Sequence, residues 1–264
     1  MRLPLLLTST LLASVLATQA PAQDLASFFE GLDGTFVLLD GKTGETTRHN
    51  PARAARRFAP CSTFKVPHTM ILLESGTVPG ATEAPLTYDP ALKQPPQWAR
   101  DFNLQEAFKA SALWYYRLQA QRLGMAKESR YVRAFGYGNE DTSGGIDGAK
   151  SPFWVDGSLR VSADEQVQFL RRFHENRLGL SARTTALTRQ IMLVEETPAW
   201  RLSAKTGACH PTGEQTSNWY VGFVEKSDAT YYFALQLGAD DYGRAYKERV
   251  PLSRRILTAL GILS

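Results

Sequence analysis

Ser62-Thr63-Phe64-Lys65 sets a hydroxyl and an amine three positions apart. Side chains so spaced share one face of a helix, so the serine oxygen and the lysine nitrogen can meet across a single turn. A serine hydroxyl is a weak nucleophile at neutral pH, and a base held beside it in fixed geometry activates it for attack on a carbonyl. The chemistry this pair suggests is acyl transfer through a serine ester. The spacing alone arises by chance roughly once in a chain of this length. It is the sole Ser-x-x-Lys in the sequence, so its meaning depends on its companions.

Four further segments carry groups that acyl transfer needs. Ser111-Ala112-Leu113 offers a second hydroxyl able to relay a proton to a leaving group; read alone, it is an ordinary helix-surface serine. Tyr137-Gly138-Asn139 is a polar loop suited to lining a cleft. In Phe153-Trp154-Val155-Asp156-Gly157 a buried indole N–H must find an acceptor, so Trp154 could brace a catalytic group, with core packing as the plain alternative. Lys205-Thr206-Gly207, on an expected strand, could hold a substrate carboxylate, its glycine admitting close approach of another backbone. Lys42-Thr43-Gly44 repeats that tripeptide, but it follows Asp40-Gly41 in a tight turn, and turn chemistry explains it.

These groups must be positioned by the elements around them. Residues 25–32 have the apolar spacing of a short amphipathic helix. Residues 35–39 and 45–49 read as strands joined by a turn over 40–44. A helix is expected from about Ser62, with Pro67 tolerated near its start. Residues 79–98 are rich in Pro, Gly and Thr and read as irregular. Asn103 with Glu106 resembles a capping box opening one helical stretch through Leu123, with Gly124 as its stop. Ser162 with Glu165 opens another, carrying Val167, Leu170 and Phe173.

The period then changes: 201–208, 219–225 and 230–237 read as three strands, followed by a last helix from about Leu252 to Ile262. Strands at both ends with helices between imply an α/β fold of α+β type. A central antiparallel sheet is built from the N- and C-terminal segments, about 23–60 and 196–264, with flanking helices. An all-helical subdomain is inserted over about 61–195. The cleft at their junction is where a ligand site is expected.

Composition is that of a globular chain, 43% hydrophobic and 21% charged over 264 residues, which sets disorder aside. Lys and Arg are scattered, apart from Arg53, Arg56 and Arg57, so a net charge of +4 comes with no basic face for nucleic acid. Arg2, the apolar run 5–16 and Ala20-Pro21-Ala22 read as an export signal over residues 1–22. The run is shorter than the ~20 residues a spanning helix needs. Cleavage after Ala22 leaves a single domain, 23–264, in the periplasm and free of the membrane. In that oxidising compartment Cys61 and Cys209 can pair, with two buried free thiols as the alternative. The four histidines, His49, His68, His174 and His210, form no ligand-spaced pair, so no metal site is expected and solvated or packing roles are assigned to them.

In their order and approximate spacing, Ser-Thr-Phe-Lys, the Ser-x-Val-like triplet at 111, Tyr-Gly-Asn, Phe-Trp-x-Asp-Gly and Lys-Thr-Gly resemble the class D β-lactamases, the oxacillinases, over nearly the whole mature chain. The resemblance implies hydrolysis of the β-lactam ring of penicillin-type antibiotics, and hence resistance, on a fold of the serine β-lactamase and penicillin-binding-protein kind. It implies Ser62 as the acylated nucleophile and Lys65 as an N-carboxylated lysine, the general base for acylation and deacylation. Ser111 would be the proton relay and Trp154 the hydrogen-bond donor to the carbamate. Lys205, Thr206, Gly207 and Ala208 match the strand that faces the β-lactam, with the N–H groups of Ser62 and Ala208 as the oxyanion hole. Tyr137, Asn139 and Leu113 are carried over to the substrate side. Arg249 takes the place of the family's carboxylate-binding arginine, a task its planar fork suits, with Arg244 as the nearest competitor.

Carbon dioxide or bicarbonate is then needed to carboxylate Lys65, and no other cofactor is implied. A free lysine with pKa near ~10.4 is protonated at neutral pH, so burial among apolar groups such as Phe64, Val66, Leu113 and Trp154 must lower it. Leu113 stands where the family usually has Val, and Val155 where it often has Leu. Cys61 and Cys209 are not general family features, and their place beside both halves of the site suggests a bridge pinning helix to strand. A D,D-peptidase and a non-hydrolytic β-lactam sensor domain share the Ser-x-x-Lys chemistry and stand as alternatives. The expected partners are small-molecule β-lactams, with a homodimer left open.

Overall fold

The first strand shows why the two ends of the chain must meet. In the computed structural model, which describes residues 25–146, 151–240 and 242–264, six of the eight residues of β1 (Asp33–Asp40) are buried in an unbroken run. A strand buried on both faces needs a partner along each edge and a layer over each face. β2 (Thr46–His49) supplies one edge across the Asp40 turn. The other edge comes from the far end of the chain.

After β2 come α1 (Pro51–Ala55), a 3-10 turn over Cys61–Phe64, α2 (Lys65–Glu74), α3 (Leu104–Ala110), α4 (Leu113–Leu123), α5 (Met125–Ala134), α6 (Phe153–Asp156), α7 (Ala163–His174) and α8 (Ala182–Met192). The chain then returns to strands, β3 (Leu193–Glu196), β4 (Trp200–Cys209), β5 (Thr216–Lys226) and β6 (Thr230–Ala239), and ends in α9 (Gly243–Ala259). The sheet is antiparallel in the order β2-β1-β6-β5-β4-β3, with Val37 opposite Ala234 where the two ends join.

Two cores follow from the two faces. On one, Phe36, Tyr220, Phe233 and Leu235 pack against Leu252 and Ile256 of α9. On the other, Val37, Val221 and Phe223 share a continuous core with Phe173 of α7 and the helices beyond it. Helix α7 therefore belongs to the sheet's layer structure, although the expected all-helical span covered it. β3 likewise starts at Leu193, inside that span.

Several elements differ from expectation. The single helix expected over 103–123 is two: α3 ends at Ala110, Ser111 takes a left-handed conformation with φ 56, and α4 begins at Leu113. No Gly or Pro marks that break, so local sequence does not announce it. The last helix starts at Gly243 and carries Pro251 inside it; a proline reads as a boundary because it has no N–H to donate. The helix expected at 25–32 is a 3-10 turn over Ala26–Phe29. Both capping boxes, Asn103 with Glu106 and Ser162 with Glu165, are formed. The export signal at 1–22 lies outside the described residues. Among those described, no helix is long and apolar enough to cross a membrane.

Candidate active site

The Ser62 turn is held from below. The Thr63 hydroxyl donates to the Pro60 carbonyl at 2.7 Å and closes the 3-10 turn. Lys65 opens α2 and is 1% exposed, with Nζ donating to Ser62 Oγ at 2.9 Å. The same nitrogen lies 5.3 Å from the centre of the Tyr116 ring. Burial pushes the lysine from its ordinary value down to about 7.

Strand β4 brings the second half of the site. Lys205 Nζ donates to Ser111 Oγ at 3.1 Å and to the Thr206 carbonyl at 2.9 Å. The helix break at Ser111 is what turns this hydroxyl into the cleft, so it is not the helix-surface serine of the plain reading. β4 passes so close to the Ser62 turn that a β-carbon at Gly207 would stand 2.9 Å from the Pro60 carbonyl oxygen and 3.1 Å from the Thr63 nitrogen. Cys61 and Cys209 are joined in a disulfide, which sets aside the free-thiol alternative.

Between these pieces lies a cleft of about 350 Å³ lined by Ser62, Ser111, Thr206, Gly207, Ala208 and Arg249, with Gln97, Trp98, Ala110 and Tyr246 at its sides. None of these ten residues is acidic. Lys205 is pressed well below its ordinary value by burial and by the neighbouring Lys65, Arg249 and Lys109 cations. A concave site lined by a guanidinium and by no acidic side chain suits a carboxylate. Arg249 lines that cleft, its guanidinium stacked 3.7 Å from the Tyr246 ring centre. Arg244 points elsewhere: a β-carbon on Gly31 would stand 2.9 Å from its Nη1.

Three residues carried over to the substrate side take other places. Tyr137 is 1% exposed, and its hydroxyl donates to Gln166 Oε1. Gln166 Nε2 in turn donates to Thr63 Oγ1 at 2.9 Å, so Tyr137 props the nucleophile turn from behind. Asn139 Nδ2 donates to the Ser158 carbonyl and its Oδ1 accepts from the Arg160 N–H, fastening the loop to the segment after α6. Gly138 between them is obligatory, because its φ is 58 and a β-carbon would collide with the Arg160 carbonyl oxygen. Leu113 borders a separate hollow with Leu92, Trp114 and Leu118, not the Ser62 cleft. Trp154 is buried and stacks on Phe64 with ring centres 5.4 Å apart.

Sequence reasoning missed four of the cleft residues. Gln97 and Trp98 end the stretch read as irregular loop; Trp98 Nε1 donates to the Ala110 carbonyl at 2.9 Å, which seats that loop beside Ser111. Tyr246 lies in the part of α9 that was not expected to be helical. Glu128, fully buried, went unremarked, and His68, also fully buried, was given only a solvated or packing role.

A serine and a lysine on one turn, a second serine held by a strand lysine, and a cationic cleft at a sheet edge define a penicillin-interacting acyl-transfer fold. The family model of the penicillin-binding-protein transpeptidase domain matches residues 34–258. Within that fold the chain belongs to the class D serine β-lactamases. It is 36% identical over 204 residues to β-lactamase OXA-48 of Klebsiella pneumoniae, covering 77% of this chain and 75% of that protein. The crystal structure of FUS-1 (OXA-85), a class D β-lactamase from Fusobacterium nucleatum subsp. polymorphum, matches with TM-score 0.86 at 32% identity, covering 92% of this chain and 99% of that one. The C-terminal domain of the Bacillus licheniformis BlaR penicillin-receptor matches with TM-score 0.83 at 30% identity, covering 91% and 96%.

Proposed function

We propose that the protein hydrolyses penicillin-type β-lactams through an ester on Ser62, outside the cytoplasm, and so confers resistance. The observation that carries this reading is the 2.9 Å contact of Lys65 Nζ with Ser62 Oγ at the inner end of the cleft. Held at about 7 by burial, the amine is neutral in a substantial fraction of molecules at neutral pH, and a neutral amine can add carbon dioxide. The buried position beside a hydroxyl and near the Tyr116 ring fits that modification. Carboxylated, Lys65 would supply an anionic base for acylation and deacylation, with the Trp154 indole as the expected donor to it.

Ser62 Oγ attacks the lactam carbonyl as its proton is taken. The N–H groups of Ser62 and Ala208 face the oxygen that becomes negative, each such donor typically contributing ~3 kcal/mol. The Ser111 hydroxyl, oriented by Lys205, passes a proton to the ring nitrogen as the C–N bond opens. Lys205, Thr206 and Arg249 hold the substrate carboxylate. The reading includes an export signal over residues 1–22, which the Cys61–Cys209 bridge supports because disulfides persist in oxidising compartments.

The likeness to the BlaR penicillin-receptor domain favours one other reading, a sensor that stays acylated. Turnover of a chromogenic cephalosporin, with and without bicarbonate, separates the two. Repeated turnover that rises with bicarbonate and is lost in Lys65→Ala is expected. A single stoichiometric burst followed by a stable acyl-protein mass would overturn hydrolysis in favour of sensing, and bicarbonate-insensitive turnover would overturn the carboxylated base alone.

A further inference from the structure

Beneath Lys65 lies a second ionisable pair. His68, three residues on along α2, is fully buried, its ring centre 5.5 Å from that of Phe64, 5.3 Å from that of Tyr116 and 5.3 Å from that of Trp154. Lys65 Nζ and His68 thus share the Tyr116 wall. Glu128 reaches in from α5, also fully buried, and its Oε2 stands 3.5 Å from His68 Nε2. Among the described residues, neither imidazole nitrogen and neither carboxyl oxygen has a hydrogen-bond partner. Two apolar side chains would fill this space at lower cost, since buried polar groups without partners destabilise a fold. Core packing therefore does not account for the pair.

We propose that His68 and Glu128 are positioning residues that share one proton and use it to stabilise negative charge on Lys65. This rests on the carboxylated-lysine reading. While the lysine is an amine, the proton sits on Glu128: burial pushes that carboxyl up to about 8, and burial together with Lys65 pushes His68 down to about 3. When Nζ forms a bond to carbon dioxide, it releases one proton to solvent past the Ser62 hydroxyl, and an anion replaces the amine. The O–H bond at Glu128 then breaks and an N–H bond forms at His68 Nε2. The pair's net charge stays zero, while its positive end now lies on the lysine's own helix and its negative end on α5. In a low-dielectric interior such a reoriented dipole acts strongly on a nearby charge. The ionisable groups beside His68 are Lys65 on its own helix, Glu128 from α5 and Tyr116 from α4, whose hydroxyl is engaged with Thr69; α6 offers the Trp154 ring.

The test is made on the whole protein with ¹⁵N-labelled histidine and ¹³C-bicarbonate, the His68 resonance being assigned through single substitutions of His49, His174 and His210. Adding bicarbonate is expected to raise a carbamate ¹³C signal and, in step with it, to move His68 from neutral imidazole to imidazolium. Glu128→Gln keeps the shape but has no proton to give. It is expected to hold His68 neutral, to raise the bicarbonate needed for half-carboxylation about tenfold, and to regain turnover at saturating bicarbonate. A carbamate signal with His68 still neutral in the wild-type protein overturns the proposal, whether or not the variant folds. So does a folded Glu128→Gln with wild-type bicarbonate dependence. No carbamate signal at any bicarbonate concentration overturns the carboxylated-lysine reading itself, and the pair's role with it.

Discussion

Cys61 and Cys209 form a disulfide that spans 148 residues of sequence with their Cα atoms 5.5 Å apart. The first immediately precedes Ser62 and the second lies two residues beyond Gly207, so one covalent bond ties the nucleophile turn to the strand that carries Lys205 and Thr206. A cleft made of two segments so far apart in sequence would otherwise rely on packing alone to keep its width.

Breaking that bond should cost stability first. Closing a loop of this order restricts the unfolded chain, and loss of a native disulfide typically costs ~2–5 kcal/mol. The Cys61→Ala/Cys209→Ala double variant, and the wild-type protein under reductant, are expected to melt at lower temperature and to turn over a chromogenic cephalosporin more slowly. An unchanged melting temperature and unchanged kcat/KM would show that packing alone holds the two halves.

Gly207→Ala should damage catalysis more than folding. The new methyl would press on the Pro60 carbonyl oxygen and the Thr63 nitrogen at 2.9 and 3.1 Å. Such overpacking costs ~1–3 kcal/mol if the backbone yields, and what yields is the turn bearing Ser62. A displacement near 1 Å at a reacting group lowers rate by ~10²-fold. Acylation rate measured by stopped flow is expected to fall on that scale, with a melting temperature only modestly lower. A wild-type acylation rate in Gly207→Ala would mean the two segments are not in close contact.

Lys65 should cost the fold stability at neutral pH, with a definite pH signature. Its folded value is lowered from 10.5 to about 7 by burial. Between these values the unfolded chain holds a proton that the folded chain lacks, so stability falls as pH drops through this window. The cost is complete below about 7 and vanishes above 10.5. At 1.36 kcal/mol per unit it reaches up to ~5 kcal/mol. In buffer free of carbon dioxide, Lys65→Met is therefore expected to be inactive yet more stable than wild type near pH 7, with the difference shrinking as pH rises toward 10. A stability gain that does not vary with pH would point to packing rather than charge.

The pieces of the site legible in sequence were those fixed by short spacing: Ser62 with Lys65, Lys205 with its strand, and both capping boxes. The strand pattern at 201–237 also carried through, because strands buried on both faces read as near-continuous apolar runs. The misread pieces depend on tertiary context. Ser111 leaves the helix through a left-handed residue with no glycine to announce it. Tyr137-Gly138-Asn139 is a polar tripeptide whose polar groups are spent on Gln166, Ser158 and Arg160, so polarity suggested a cleft where the structure has a brace. His68 and Glu128 are 60 positions apart, and only the packing of α2 on α5 makes them a pair.

Arg249 and Arg244 lie five residues apart on α9, about 1.4 turns, so they face different ways and should differ completely in effect. Only Arg249 lines the cleft, and hydrogen bonds from a charged donor are typically worth ~1.5–3 kcal/mol. Arg249→Ala is expected to raise KM for penicillins by roughly 10- to 100-fold with little change in melting temperature, while Arg244→Ala leaves KM unaltered. Equal effects from the two substitutions would reject the assignment.

Tyr137→Phe separates bracing from binding. The hydroxyl is buried and bonded to Gln166, which holds Thr63. Removing it leaves the Gln166 oxygen without that donor, at a cost of ~1–3 kcal/mol for an unsatisfied buried group. The ring itself stays, edge-on to Phe64 with centres 5.8 Å apart. The expected outcome is a lower melting temperature and a reduced acylation rate, because the Ser62 turn loses a support, with KM for different penicillins changed little and alike. A residue touching substrate would give the opposite pattern, an unaltered melting temperature and a KM change that depends on the antibiotic's side chain. Steady-state kinetics on two penicillins with different side chains, alongside thermal melts, decides between them.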